Sequence, residues 1–232
     1  RRGEIVGLTG LVGSGAKELF KTLFGVERAD SGSVHLDGRL LRLRSPGQAI
    51  AEGIALVPEE RRSQGISPVL SVLENLTLAG LGRFSRWGLL SRRKEQAESL
   101  RLIDELAIKA PGPQVAVSQL SGGNQQKVAL GKWLSRRSAV YLLDEPCVGV
   151  DVGAKVEIYR LIGRLVEEGA AVLVLSSDLP ELLGISDRIL VLHRGEIAGE
   201  FRAGEADSDQ LLACATGAVP ATAAQAREVE HA

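Results

Sequence analysis

The stretch Leu120-Ser121-Gly122-Gly123-Asn124-Gln125-Gln126-Lys127 constrains this chain more than any other. A serine and two glycines open what reads as a long helix through Gln125, Val128, Trp133 and Leu134. A helix start leaves its first N–H groups without intrahelical partners and carries partial positive charge. With no side chains at 122 and 123, a phosphate can approach that backbone closely, and the Ser121 hydroxyl adds a donor. Further along comes a hydrophobic run closed by two acids, Val140-Tyr141-Leu142-Leu143-Asp144-Glu145-Pro146.

A second glycine-rich stretch lies near the start. The buried-strand pattern Ile5-Val6-Gly7-Leu8-Thr9 runs into Gly10-Leu11-Val12-Gly13-Ser14-Gly15-Ala16-Lys17-Glu18 and then a helical run to Phe24. Strand, glycine loop and helix is the context of a phosphate-binding loop, whose pattern is G-x-x-x-x-G-K-[ST]. Gly10, Gly13 and Gly15 fit it. Ala16 stands where the lysine belongs, and Lys17 where the Mg²⁺-binding hydroxyl belongs. Each missing charge-assisted hydrogen bond is worth roughly 1.5–3 kcal/mol, or roughly 10- to 150-fold in nucleotide affinity. Taken alone, the stretch is equally a glycine-rich turn that binds nothing.

The elements around these stretches alternate. Ser33–Leu36 and Leu40–Leu43 flank Asp37-Gly38 as a hairpin, and Ser45-Pro46 caps a short helix ending near Gly53. Ile54–Val57 is a strand that runs into Pro58-Glu59-Glu60-Arg61-Arg62. From Ser63 to Arg137 helices replace strands. Ser71 and Glu74 form a capping box. Ser91 starts a charged helix with Ala97, Leu100, Ile103 and Leu106 on its apolar face, broken by Pro111-Gly112-Pro113. After the turn-rich Cys147–Gly153 a helix carries Val156, Tyr159, Ile162 and Val166 as its core stripe and stops at Gly169. Ala171–Leu175 and Arg188–Leu192 are strands, the first a continuous apolar run typical of a buried parallel sheet. The expected layout is an α/β core of residues 1–62 and 138–211, a helical subdomain of 63–137, and a partly disordered, alanine- and charge-rich tail of 212–232. The strand pattern begins so close to Arg1 that the chain reads as part of something longer.

Composition narrows the class. Of 232 residues, 44% are hydrophobic and 25% charged, as in globular domains. A net charge of -1 gives no argument for nonspecific nucleic-acid binding. Cys147 and Cys214 make no disulfide framework. No apolar run reaches the ~20 residues that span a bilayer, so any work at a membrane needs other chains to cross it.

The ordered set of glycine loop, Val57-Pro58-Glu59, Leu120–Lys127, Leu142-Leu143-Asp144-Glu145-Pro146, Gly149–Lys155 and Ser176-Ser177-Asp178-Leu179-Pro180-Glu181 resembles the ATP-binding cassettes of ABC transporters. It is most similar to the second cassette of the tandem ribose/xylose/galactose-type sugar importers, in which the phosphate loop is typically impaired. The resemblance implies an α/β P-loop NTPase fold with a mostly parallel sheet, a small antiparallel β part and an inserted helical subdomain.

It also implies a division of labour. Two cassettes pair head to tail, each nucleotide held between one phosphate loop and the other cassette's signature. ATP and Mg²⁺ are the expected ligands, with Gly10, Val12, Gly13, Ser14, Gly15, Ala16, Lys17, Glu18 and Glu59 at this chain's own nucleotide. Asp144 would enter the Mg²⁺ shell and Glu145 would polarise the attacking water. Leu120, Ser121, Gly122, Gly123, Asn124 and Gln125 would clasp the partner's γ-phosphate, and Asp151 would brace that site across the interface. Glu59 stands where the family has a metal-contacting glutamine, and Ser177 where it has a histidine that contacts the γ-phosphate. The departures therefore fall on this chain's own site, while the clasp for the other is intact. Lys17 either replaces part of the metal's charge or turns to solvent or to Asp144 and Glu145. Expected partners are a first cassette of the same polypeptide, transmembrane permease subunits and, indirectly, an external sugar-binding protein, with the chain peripheral at the cytoplasmic face of the membrane and no nucleic acid bound. The cluster Phe84, Trp87, Leu89 and Leu90 serves either a permease dock or packing within the subdomain. A catalytically inactive regulatory or dimerisation cassette is the alternative function. His35, His193 and His231 fall outside the catalytic loops.

Overall fold

A computed structural model describes residues 1–218. In chain order its elements are β1 (Ile5–Gly10), α1 (Ala16–Leu23), β2 (Val34–Leu36), β3 (Arg39–Leu41), α2 (Pro46–Ala51), β4 (Ile54–Val57), α3 (Val72–Thr77), α4 (Leu81–Phe84), β5 (Ser85–Arg86), β6 (Leu89–Leu90), α5 (Arg92–Glu105) and α6 (Gly122–Leu134). These are followed by β7 (Val140–Asp144), α7 (Val152–Glu167), β8 (Ala171–Leu175), α8 (Leu179–Ile185), β9 (Arg188–His193), β10 (Glu196–Arg202) and α9 (Ser208–Thr216). The chain divides into two compact units. One comprises Arg1–Leu56, Ala139–Glu145 and the described residues from Leu165 on; the other comprises Val57–Ser138 and Pro146–Arg164. Residues 57–62 and 146–164, expected in the α/β core, group here with the helices.

The first unit is built on a six-stranded sheet in the order β10-β9-β1-β8-β7-β4. β1 pairs in parallel with β8 and β9, β7 pairs in parallel with β8, and β10 closes the edge antiparallel to β9. The interior strands are apolar because both faces are covered: Val6, Leu8, Leu142, Leu143, Val172, Val174 and Val191 are all buried. Phe20 on α1 is 2% exposed, a burial that contributes roughly 1.5–3 kcal/mol. The β2–β3 hairpin turns at Asp37 and Gly38, both at positive φ, as its Asp-Gly pair predicts. Ser45 caps α2 by accepting from the Gln48 N–H, with Pro46 at the first helical turn. Residues 212–216, read from the sequence as the start of a tail, are the end of α9. Asp207 caps that helix, Leu211, Cys214 and Ala215 are buried, and Gly217 closes it in the left-handed region. The remaining tail, 219–232, and His231 with it, lies outside the described residues.

The second unit is helical. Ser71 and Glu74 make the expected capping box at α3, and α3 packs against α5 and α6. Two apolar faces differ from their expected positions. On α5 the buried residues are Glu95, Ser99 and Leu102, followed by Leu106, whereas Leu100 is 47% exposed. The face is rotated because α5 turns a polar residue inward: the Thr77 hydroxyl donates to Glu95 at 3.1 Å within the α3–α5 contact. The helix also ends before the proline pair, at Glu105, where Ala107 takes φ 46. On α7 the buried residues are Ala154, Ile158, Leu161, Ile162 and Leu165. Of the expected stripe only Ile162 is buried, and Val156 is 43% exposed.

Candidate functional site

The glycine loop forms the β1-to-α1 turn in the first unit. Gly13 and Gly15 sit at φ 81 and 97, conformations that favour glycine. Gly10 is required for space: a Cβ there would lie 2.5 Å from the Ser14 hydroxyl oxygen and 2.6 Å from the Leu192 carbonyl oxygen. Ser14 is buried and its carbonyl accepts from the Gly195 N–H at 2.8 Å. Gly15 caps α1 with no side-chain acceptor, so the first-turn N–H groups face the loop. This backbone fits a phosphate. The side chains supply less: Ala16 is buried at 5% exposure, a methyl in the place of an ammonium, and Lys17, Glu18 and Val12 are exposed.

The two carboxylates stand at the end of β7 in the same unit. Asp144 is in register with Leu175 of β8. Glu145 takes φ 48, unusual for a residue with a side chain, and its N–H donates to the Leu175 carbonyl at 2.8 Å. The Glu145 carboxylate accepts from the backbone N–H of Ser177 at 2.8 Å. Position 177 thus meets the glutamate through its main chain. Beyond it, Ser176 donates to the buried Glu181 at 2.5 Å and Asp178 caps α8.

The signature stretch starts α6 in the second unit. Ser121 is the N-cap, exposed, with its hydroxyl accepting from the Asn124 side-chain amide at 2.8 Å. Asn124 in turn accepts from the Lys109 N–H at 2.8 Å. Leu120 and Gln125 are buried. Gln125 faces inward, donating to the Leu120 carbonyl at 3.0 Å and accepting from Arg62 at 3.3 Å. Its amide is therefore engaged below the helix start, while Ser121 at the N-cap is exposed. The glycines answer to packing as well as to any anion. A Cβ on Gly123 would lie 2.8 Å from the Ala154 Cβ, and one on Gly122 would lie 3.0 Å from the Arg61 guanidinium.

Asp151 starts α7, its carboxylate accepting from the Ala154 N–H at 2.9 Å. It lines a cavity of about 180 Å³ together with Ser121, Asn124, Lys109, Lys127 and Glu157. Lys127 and Glu157 form an ion pair, and the Lys127 ammonium also donates to the Ala107 carbonyl at 2.8 Å. Asp151 is expected as a brace across an interface and the signature stretch is expected to run to Lys127; Lys109 and Glu157 are not among the expected site residues. Nothing local in the sequence marks Lys109 or Glu157.

Glu59 follows β4, and its carbonyl accepts from the Arg61 N–H at 2.9 Å. Arg61–Gly65 then forms a π-helical turn, a distortion often found at functional hinges. Arg61 donates to the Val148 carbonyl at 2.8 Å and lies against Gly122, and the Lys132 ammonium donates to the Gly65 carbonyl at 2.6 Å. Three long cations, Arg61, Arg62 and Lys132, thereby bind this turn to the signature helix and the loop after β7.

Comparison with known proteins is consistent with this assembly. The profile described as "ABC transporter" matches residues 1–148. The ribose import ATP-binding protein RbsA of Pseudomonas putida is 68% identical over 218 residues, covering 94% of this chain and 43% of that protein. A putative ribose/galactose/methyl galactoside import ATP-binding protein of Rhizobium etli is 46% identical, covering 94% of this chain and 41% of its own length. The chain thus spans less than half the length of these relatives. Among solved structures, a nucleotide-free ATP-binding cassette from an ABC transporter superposes with a TM-score of 0.78 at 21% identity, covering 92% of this chain and 85% of that one. The dimeric cassette MJ0796 in a post-hydrolysis state, bound to ADP and Pi, gives 0.75 at 24% identity, covering 88% and 87%.

Proposed function

Because the chain belongs to the ABC transporter family, we propose that it is the second cassette of a tandem sugar-import ATPase, working as one half of an asymmetric pair. The observation that carries this reading is the contrast between its two phosphate-facing helix starts. At α1 the charged tools are gone, with Ala16 buried in the lysine's place. At α6 the exposed Ser121 lines one cavity with Gly123 and Asp151. Phosphoryl transfer depends on positioned donors rather than covalent help from the protein. The chain therefore completes the nucleotide site of a first cassette efficiently and its own site poorly. The names of the relatives support a monosaccharide of the ribose or galactose class as cargo. On this reading a permease carries it after an external binding protein delivers it. Relatives matched over only 43% of their length leave room for that first cassette in the same polypeptide. No helix among the described residues is long and apolar enough to cross a membrane. On the reading proposed here, other subunits supply the path and the chain works peripherally on their cytoplasmic side.

At its own site the backbone of Gly10–Gly15 would hold phosphate, Asp144 would hold Mg²⁺ and Glu145 would orient water; Glu145 must first exchange its bond to Ser177 for one to that water. The alternative, a cassette that only dimerises or regulates, draws on the same buried Ala16 and the same engaged Glu145. ATP turnover by the full-length protein separates the two. Replacing Ser121 by arginine blocks the clasp and lowers kcat about 100- to 1000-fold, the scale of losing an oriented donor, whereas Glu145→Gln costs less. A dimerisation module predicts little effect from either. The asymmetric reading is lost if the isolated chain hydrolyses ATP as fast as the pair.

A further inference from the structure

The β5–β6 hairpin of the helical unit carries a feature that the nucleotide chemistry does not use. Its strands pair Ser85 with Leu90 and Arg86 with Leu89, and the Ser91 N–H donates to the Phe84 carbonyl at 2.8 Å to close the base. Phe84 is buried and anchors that base. The turn residues are Trp87 and Gly88, both at positive φ (55 and 78). Such turns favour Asn-Gly, because a side chain at positive φ is strained. Here the position holds a tryptophan that is 90% exposed, beside Leu89 at 77% and Leu90 at 47%. A strained, exposed aromatic at the tip of a ribbon is unfavourable in water on both counts, so it fits a partner outside the chain.

The surrounding charge identifies the chemistry. Arg83, Arg86, Arg92, Arg93 and Lys94 flank the tip, and no carboxylate occurs from Asn75 to Lys94. The nearest acids are engaged inside the unit: Glu74 with Ser71, buried Glu95 with Thr77, and Glu98 with Arg101. Arg83 also donates to the Ser135 carbonyl, which leaves Arg86, Arg92, Arg93 and Lys94 exposed around the apolar tip. Tryptophan prefers the boundary between water and hydrocarbon, and long cations beside it reach anionic headgroups. The exposed apolar residues sit at the end of a two-stranded ribbon, which a fluid headgroup layer accommodates without a matching groove. We infer that the Trp87 hairpin is a membrane-surface anchor that inserts Trp87, Leu89 and Leu90 among anionic lipid headgroups. This surface is independent of the nucleotide reading.

The test uses the full 232-residue chain with vesicles of phosphatidylcholine alone or with phosphatidylglycerol added. Co-sedimentation is expected only with the anionic vesicles, weakening as salt is raised. Tryptophan emission shifts to the blue on binding; Trp133 is 5% exposed, so the change reports Trp87. Each cation is worth about fivefold in partitioning. Arg86→Glu with Arg93→Glu therefore lowers vesicle affinity by about 25-fold or more, and Trp87→Ser removes the blue shift. Both alter exposed positions, and unchanged circular dichroism confirms folding. Equal binding to neutral vesicles, no binding to anionic ones, or binding retained by the variants overturns the anchor. So does preferential capture of the hairpin by a permease subunit or by single-stranded nucleic acid in competition with the anionic vesicles.

Discussion

Lys132 brings an ammonium to a site only 8% exposed, where it donates to the Gly65 carbonyl and lies 5.0 Å from the Trp133 ring centroid. Burial disfavours its charged form and lowers its pKa from 10.5 to about 8. Below about pH 8 folded and unfolded chains both hold the proton, and the cost of the buried charge is fully present. Between there and 10.5 only the unfolded chain holds it, so this group makes stability rise with pH, by about 3 kcal/mol across the window. Lys132→Met abolishes the effect. Its stability advantage over the parent, read from denaturant midpoints, should shrink above pH 8; a constant difference through pH 10.5 contradicts the assignment. Gly131, next in the chain, shows a different constraint. A Cβ there would come within 2.6 Å of Leu76 and 2.7 Å of Leu106. Gly131→Ala gains about 1 kcal/mol of helix propensity but loses about 1–3 to overpacking. A net loss near 1 kcal/mol, seen as a lower Tm, is expected.

Elements differ in how openly the sequence displays them. The α3 cap is local: Ser71 and Glu74 satisfy each other's backbone partners three residues apart. Ser71→Ala should cost about 1 kcal/mol by urea denaturation. The α6 start and the β7 carboxylates were legible for the same reason, being contiguous patterns with one geometric outcome. The faces of α5 and α7 were not. An apolar period shows that a helix has a buried side, but Glu95 and Ser99 are polar and face inward, so hydropathy pointed to Leu100 instead. Burial on α5 is decided by the Thr77–Glu95 hydrogen bond, formed across 18 residues. The Trp87 hairpin is ambiguous for another reason: its apolar letters suit an outward dock or internal packing equally, and the exposure of Trp87, Leu89 and Leu90 decides between them.

Across the whole molecule, the strand order β10-β9-β1-β8-β7-β4 joins segments as remote as Ile5 and Val172, pairings that no local pattern encodes. Motif order conveyed the α/β class, because each motif fixes which strand end carries chemistry; pairing had to come from the structure. The proposed functional asymmetry belongs to the whole molecule, and one part of it can be tested at a single loop. Ala16→Lys with Lys17→Thr restores both missing groups on a backbone already shaped for phosphate. It should tighten nucleotide binding by at least about 10- to 150-fold, the range for one restored group, in a fluorescent-nucleotide titration; no gain would mean that the loop is closed to nucleotide for other reasons. The Glu145–Ser177 bond has a further implication. Its donor is a peptide N–H, which every residue except proline supplies. That bond is therefore insensitive to drift in the side chain at 177, and only Ser177→Pro among single replacements there would remove it.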